Sequence, residues 1–372
     1  MPSYPFAKKR FWITPSVEAK THVAKISKEA KPLSQLHPLV HENISDFSEQ
    51  RFCSVFDGHE FFLADHVVAG QRLLPGVAYL EMVYSAIEVA LGSRTSQVAQ
   101  SCIQIENVIW LRPIIVGEAS EKIVISLVAL ANDSISFEVY RLEADESRQV
   151  YCQGHVTLST PPSPVPTVDL LAGKARCNKG EWQAQSCYAF LAAAGFQYGE
   201  SFQGIETLYL GENQVLGKLK LPSTVAETLS HYRLHPSLLD SALQATIGLL
   251  SGAKELGAGE HRSSIPFALT SIQILDQFSE EMWAVISRSK GSHQDDQVQK
   301  IDIDLCDEQG LVCAKMKGLD FVWKVIEKIG PDSKIRFHQI GDIHPSEKNE
   351  VSGYLSMFPN SIIYHHPVDH TE

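Results

Sequence analysis

Two short stretches of this chain set proton-exchanging groups among residues that favour burial. In DHVVAGQRLLPG, residues 65–76, His66 is flanked by Leu63, Ala64, Val67 and Val68. Desolvation there favours the neutral imidazole, the form that takes up a proton. Gly70 permits a tight turn, and Pro75 can begin a helix with no amide left to pair. The free amides that follow, Gly76 first, would sit at the positive end of that helix and could hold a carbonyl oxygen on which charge develops. In HPSLLDSALQ, residues 235–244, Asp240 and Gln244 stand four apart, on one face of a helix, among Leu238, Leu239, Ala242 and Leu243. A carboxylate is costly to bury as a charge, and no lysine or arginine lies within a helical turn. A buried Asp240 would therefore stay protonated, steadied by the Gln244 amide, and could serve as a general acid. Each signal alone also fits a plainer reading: a satisfied core histidine, and a solvated polar helix face. Together they supply a base and an acid from two parts of the chain. That pair suits removal of a proton beside a carbonyl while a hydroxyl two carbons away is protonated, which is loss of water from a 3-hydroxyacyl compound.

The elements that must hold these groups follow from pattern. RFCSVFDG and EFFLADHVV are rich in aromatic and β-branched residues and are expected as strands. PGVAYLEMVYSAIEVALG opens on Pro75, repeats Val77, Leu80, Val83, Ile87 and Leu91 at helical steps, and stops at Gly92. The spacing predicts a buried helix, followed by strands in CIQIENVIWL, EKIVISLVAL, SISFEVYRL and VYCQGHVTLS. TPPSPVPT, residues 160–167, has a linker's composition. The plan then recurs. KGEWQAQSCYAFLAAAG reads as a helix, LYLGENQVLGKLKL as a hairpin, and HPSLLDSALQATIGLLSG as a second apolar helix opening on Pro236. SIPFALTSIQIL, MWAVISRS, KIDIDLCD and LVCAKMKGLDFVW read as strands. Setting Pro75 against Pro236 aligns LLPGVAYLEMV with LHPSLLDSALQ, so we expect an α+β protein in which a sheet wraps one central helix, twice. The expected division is an N-terminal linker over 1–36, one half over 37–160, a Pro-rich linker over 161–180, a second half over 181–325, and a linker or tail over 326–372.

Composition narrows the function classes. The chain has 372 residues, is 44% hydrophobic and 20% charged, and carries a net charge of −12. This is ordinary for a soluble globular protein and argues against a nucleic-acid surface, which needs a concentrated basic stripe. The seven cysteines are scattered without a CxxC, as expected for reduced thiols in a cytoplasm. The longest apolar run, IVISLVALA at 123–131, is far short of a membrane span. His59, Glu60 and His66 lack metal-ligand spacing, HHP at 365–367 reads as solvated, and no metal is expected. GxGxxG, P-loop and GxSxG patterns are absent, so neither a dinucleotide, ATP nor a serine nucleophile is implied.

His66, Gly70 and Pro75 fit HxxxGxxxxP, and Asp240 and Gln244 fit DxxxQ. In these paired motifs the chain resembles the dehydratase domains of modular type I polyketide synthases. GFQYGESFQGI, residues 195–205, looks like the family's tyrosine–glycine motif, and IPFALTSIQI like its strand opening on Pro266 and Phe267. The leader YPFAKKRFW is similar to the segment joining such a domain to a synthase. LHPLVHENISDFSEQRF, residues 36–52, resembles domains from synthases served by a separate acyltransferase. The resemblance runs from about Tyr4 to Trp323.

The resemblance implies a double hotdog: two long helices, each wrapped by an antiparallel sheet, with the site between them. It implies that His66 takes the α-proton, Asp240 protonates the leaving hydroxyl, Gln244 orients Asp240, and Tyr198 hydrogen-bonds near the leaving group. Leu74, Pro75, Gly70, the Gly76 amide, Gly199, Pro236, Pro266 and Phe267 are the implied substrate-binding positions. The substrate would be a 3-hydroxyacyl thioester on the phosphopantetheine arm of an acyl carrier protein, with no cofactor in the domain itself. Neighbouring ketosynthase and ketoreductase domains and a second copy of the chain are the implied partners. One position departs: Glu200 follows Tyr198-Gly199 where the family often has proline. Related domains shift the double bond, epimerise or close rings, and a silent acyl-binding hotdog is the competing reading from another class.

Overall fold

Pro75 and Gly92 bracket an apolar segment, and between them the chain forms the helix the spacing predicts. The computed structural model describes residues 35–92, 102–131, 134–250, 262–292 and 298–325, and from Leu36 these belong to one compact unit. The leader before residue 35 and the tail after 325, both expected as linkers, lie outside the described residues.

The first half contains β1 (Glu42–Asn43), β2 (Gln50–Phe56), α1 (Phe61–Ala64), β3 (His66–Val68), β4 (Gln71–Arg72), α2 (Gly76–Leu91), β5 (Cys102–Trp110), β6 (Glu121–Ala129), β7 (Ile135–Leu142) and β8 (Arg148–Ser159). The second contains α3 (Leu170–Arg176), β9 (Gly180–Gln183), α4 (Ala184–Ala193), β10 (Phe196–Tyr198), β11 (Ile205–Leu210), β12 (Gln214–Lys220), α5 (Pro236–Gln244), α6 (Ile247–Leu250), β13 (Arg262–Ile274), β14 (Glu281–Arg288), β15 (Val298–Cys306) and β16 (Val312–Val325).

Thirteen strands form one sheet in the order β1-β2-β6-β7-β8-β5-β13-β16-β15-β14-β12-β11-β9. The halves meet at β5 and β13, an antiparallel pair in which Leu269 faces Val108 and Ile272 faces Ile105. Each half of the sheet wraps its own helix: α2 packs on β5 and β6, α5 on β11 and β12, and the two helices touch. Enclosure explains their composition. Every residue of α2 from Val77 to Ile87 is buried, as is all of α5, so neither keeps a polar outer stripe. This is the double hotdog expected from the sequence. A second, smaller sheet, β10-β3-β4, also crosses between the halves.

Four local readings change. EFFLADHVV is not one strand: α1 precedes β3 because the Glu60 carboxylate takes the amides of Asp57 and Gly58 and closes a turn that starts a helix. The segment 161–180, read as a Pro-rich linker, contains a helix: Asp169 caps α3 by accepting from the Ala172 amide, with Lys174 and Arg176 in its last turn, where cations suit the helix dipole. The segment from Gly180 to Gln183 forms strand β9 before α4 begins, paired with β11. The second central helix breaks after Gln244, where the Thr246 hydroxyl donates to the Leu243 carbonyl at 2.6 Å and competes with the helical ladder.

Candidate active site

β3 and β4 form a tight hairpin whose turn residues, Ala69 and Gly70, have φ of 48° and 79°. Gly70 adopts the left-handed region without penalty. The hairpin aims the His66 ring inward, where it is 8% exposed. Its Nδ1 lies 2.8 Å from the Leu73 carbonyl, which can only accept, so Nδ1 carries the proton and Nε2 presents a lone pair.

α5 supplies the opposing group. His235 caps it, Nδ1 accepting from the Ser237 amide at 3.2 Å while Nε2 donates to the Thr228 hydroxyl at 2.9 Å. Burial, with His231 nearby, lowers the His235 pKa to about 3, so this imidazole stays neutral and structural. Pro236 occupies the first turn and needs no amide partner. Asp240 is 5% exposed, which removes the solvated-face reading. Burial pushes its carboxyl upward; His66 and the Gln244 hydrogen bond act the other way without reversing the shift. Gln244 donates to Asp240 Oδ2 at 2.8 Å and to the Phe202 carbonyl at 3.0 Å, which fixes its amide.

The deciding distance is 3.9 Å, from His66 Nε2 to Asp240 Oδ1. That is too long for a hydrogen bond and short enough for one two-carbon unit to touch both groups. Tyr198 joins them through the small sheet: in the β10–β3 register it lies directly across from His66, with ring centroids 5.5 Å apart. Burial first, then the Asp240 charge, holds its phenol well above its ordinary pKa, so it stays a neutral donor. Phe202 closes the other side of the imidazole at 5.4 Å.

The structure thus brings together His66, Asp240, Gln244 and Tyr198. Leu74 and Pro75 are buried between the His66 hairpin and α2. Gly76 is the first residue of α2, so its N–H has no intrahelical acceptor, while its carbonyl accepts from the Trp110 indole at 3.1 Å. Pro266 and Phe267 lie on β13, where its register against β16 shifts between Pro266 and Ala268.

Sequence reasoning missed Asp65. Its carboxylate accepts from the Ser201 amide and its carbonyl from the Gly199 amide, both at 2.9 Å. A Cβ on Gly199 would collide with that carboxylate, which explains the glycine. The turn after Tyr198 is thereby fixed from the residue beside His66, and Glu200 opens a short 3-10 turn there without the ring of a proline. The only signal was adjacency: an acidic residue immediately before the histidine. Glu81, buried on α2, was also missed.

Sequence comparison places this geometry in a family. The family described as "Polyketide synthase dehydratase domain" matches residues 37–142, and "Polyketide synthase dehydratase N-terminal domain" matches 166–323. A crystal structure of a dehydratase domain of a trans-acyltransferase polyketide synthase from Brevibacillus brevis is 43% identical, with a TM-score of 0.72, over 79% of this chain and 100% of that one. The chain belongs to the polyketide synthase dehydratase domains. The dehydratase domain of RzxB from Pseudomonas fluorescens is 26% identical, with a TM-score of 0.65, over 77% of this chain and 99% of its own. Polyketide synthase PksN of Bacillus subtilis is 42% identical over 86% of this chain, which spans 6% of that synthase. The chain spans less than a tenth of the length of several curated synthases it resembles. Among the described residues no helix is long and apolar enough to cross a membrane, and no cluster of three or more His, Cys, Asp or Glu could hold a metal ion.

Proposed function

We propose that this dehydratase domain removes water from a 3-hydroxyacyl thioester presented on the phosphopantetheine arm of an acyl carrier protein, by syn elimination. The observation that carries the reading is the 3.9 Å gap between the His66 Nε2, whose ring is held by Nδ1 on the Leu73 carbonyl, and the Asp240 carboxyl, whose pKa burial raises. His66 Nε2 takes the α-proton, and the C–H electrons form the new double bond. The C–O bond breaks as Asp240 gives its proton to the β-hydroxyl, which leaves as water. His66 ends protonated and Asp240 ionised, so the dry site gains a pair of opposite charges and stays neutral overall. Return of the proton across that gap resets the enzyme. The Gly76 amide supports the thioester oxygen as charge moves onto it, and the Tyr198 hydroxyl donates near the departing oxygen. The step is redox-neutral acid–base chemistry and requires no cofactor within the domain. The carrier protein and the adjoining ketosynthase and ketoreductase domains are the proposed partners, and the cytoplasm the proposed compartment.

The test is mass spectrometry of 3-hydroxyacyl-pantetheine thioesters of several chain lengths after incubation with the protein. Loss of one water, abolished in His66→Ala, is the expected outcome. A wild-type protein that dehydrates none of them would favour the silent acyl-binding reading, and a further shift or ring closure would identify a variant activity.

A further inference from the structure

Glu81 projects from α2 into the core, 1% exposed, and the elimination mechanism does not use it. Its carboxylate reaches far along the chain: it accepts from the backbone amides of Arg233 at 2.9 Å and Leu234 at 2.7 Å. The His37 Nε2 lies 3.2 Å from Oε1. Because His37 Nδ1 accepts from the Leu39 amide, Nε2 carries the proton in the neutral ring and stands beside Glu81 without a hydrogen bond to it. The Ser85 hydroxyl approaches at 3.5 Å. The Arg233 guanidinium turns away, toward Asp276 at 3.7 Å and the Leu275 carbonyl at 3.4 Å. Tyr84 donates to Glu88 instead, and the phenols of Tyr84 and Tyr232 are held above their ordinary pKa by burial first, with Glu81 adding to it. Glu81 therefore faces backbone amides, one imidazole and one hydroxyl.

The tethered amides immediately precede His235 and Pro236, where α5 begins. A helix of 9 residues has little stiffness of its own, so its position is set by what holds its ends. His37 and Tyr232 extend the tie: their rings meet edge-on at 5.3 Å, and Tyr232 meets His235 at 5.0 Å. We propose that Glu81 is a positioning residue that fixes the start of α5 on α2 and so sets the gap between Asp240 and His66. This rests on the dehydration reading above. Charge-assisted bonds to buried amides are strong, and losing the acceptor would strand two N–H groups in the core.

Glu81→Gln tests it, because the amide matches the carboxylate in shape but turns its NH2 toward one of the two donors. We expect kcat for water loss to fall about ten- to a hundredfold, the scale of an ångström-sized misplacement, with KM little changed. The alkaline limb of the pH–rate profile should move to lower pH, since a loosened α5 admits water to Asp240 and weakens the burial that raises its pKa. A purely structural role would lower the melting temperature without moving that limb. A second measurement needs no turnover: NMR signals of the His66 ring in ligand-free protein. Glu81→Gln should shift them in the same direction as Asp240→Asn. Unchanged His66 signals in folded Glu81→Gln would overturn the proposal. Should wild type dehydrate nothing, the dehydration reading fails and the NMR result alone decides the tether. If Glu81→Gln does not fold, Glu81→Asp, which keeps the charge and shortens the reach, is read by the same signals.

Discussion

Glu81 and Asp240 are both carboxylates on the enclosed central helices, 1% and 5% exposed, yet they meet opposite electrostatic conditions. Glu81 accepts from two backbone amides and has the His37 imidazole 3.2 Å away. Asp240 accepts from one side-chain amide and faces the lone-pair side of an imidazole across 3.9 Å. Burial alone does not make a general acid; burial with too few donors does. The well-supplied carboxylate ties elements together, and burial raises the pKa of the under-supplied one.

The largest expected effect comes from removing the two groups proposed to react. His66→Ala and Asp240→Asn should each lower water loss by roughly a hundred- to ten-thousand-fold, read by mass spectrometry of the thioester product. Asp240→Asn should also melt no lower than wild type at pH 8, because a neutral amide escapes the cost of ionising in the core; a sharp drop would mean that Asp240 is a structural ion. In wild type, an acid must be protonated to act, so kcat should decline as pH rises through the elevated pKa of Asp240. A rate flat across the alkaline range would remove Asp240 from the acid role.

A smaller loss, about tenfold in kcat, is expected from Gly199→Ala, whose methyl would meet the Asp65 carboxylate and displace the turn that carries Tyr198. Wild-type kinetics in that variant would show that Tyr198 needs no fixed turn.

A third buried carboxylate sharpens the comparison away from the site. Asp320 is 0% exposed, neither of its oxygens has a hydrogen-bond partner among the described residues, and the Lys300 ammonium stands 3.6 Å away. Burial raises its pKa to about 6, with Lys300 opposing. Its folded pKa lies above the unfolded value, so its stabilising contribution is complete below about pH 4 and is lost as pH rises through about 6. Asp320→Asn should therefore gain about 1–2 kcal/mol over wild type at pH 8 and little at pH 4, measured by denaturant unfolding at each pH. No difference at pH 8 would mean that Lys300 fully compensates the buried charge.

The smallest effect is Gly70→Ala: beyond its chain neighbours, no atom of the described residues lies within 4 Å of the added methyl, so the cost is the left-handed backbone alone, about 1 kcal/mol by thermal unfolding.

Much of the fold and the candidate site was legible because it is written at short range. Helical spacing after Pro75 and Pro236, aromatic and β-branched richness in the strands, and the intervals from His66 to Pro75 and from Asp240 to Gln244 are local patterns. What escaped was local competition and distant pairing. α1 and α3 are short helices set up by local side-chain bonds, Glu60 to the turn before α1 and Asp169 as the cap of α3, which apolar periodicity does not register. The break after Gln244 depends on one threonine hydroxyl taking a carbonyl. The roles of Asp65 and Glu81 lie in bonds to Ser201, Arg233 and Leu234, partners 136 to 153 residues along the chain.

The sequence by itself determined which groups could exchange a proton and which elements would carry them, since side-chain chemistry and helical or strand periodicity act over a few residues. The tertiary structure decided that Asp240 is dry, that its nearest base is His66, and that Glu81 is satisfied. Each of those is a matter of which distant donors and apolar side chains surround a carboxylate once the two wrapped helices meet.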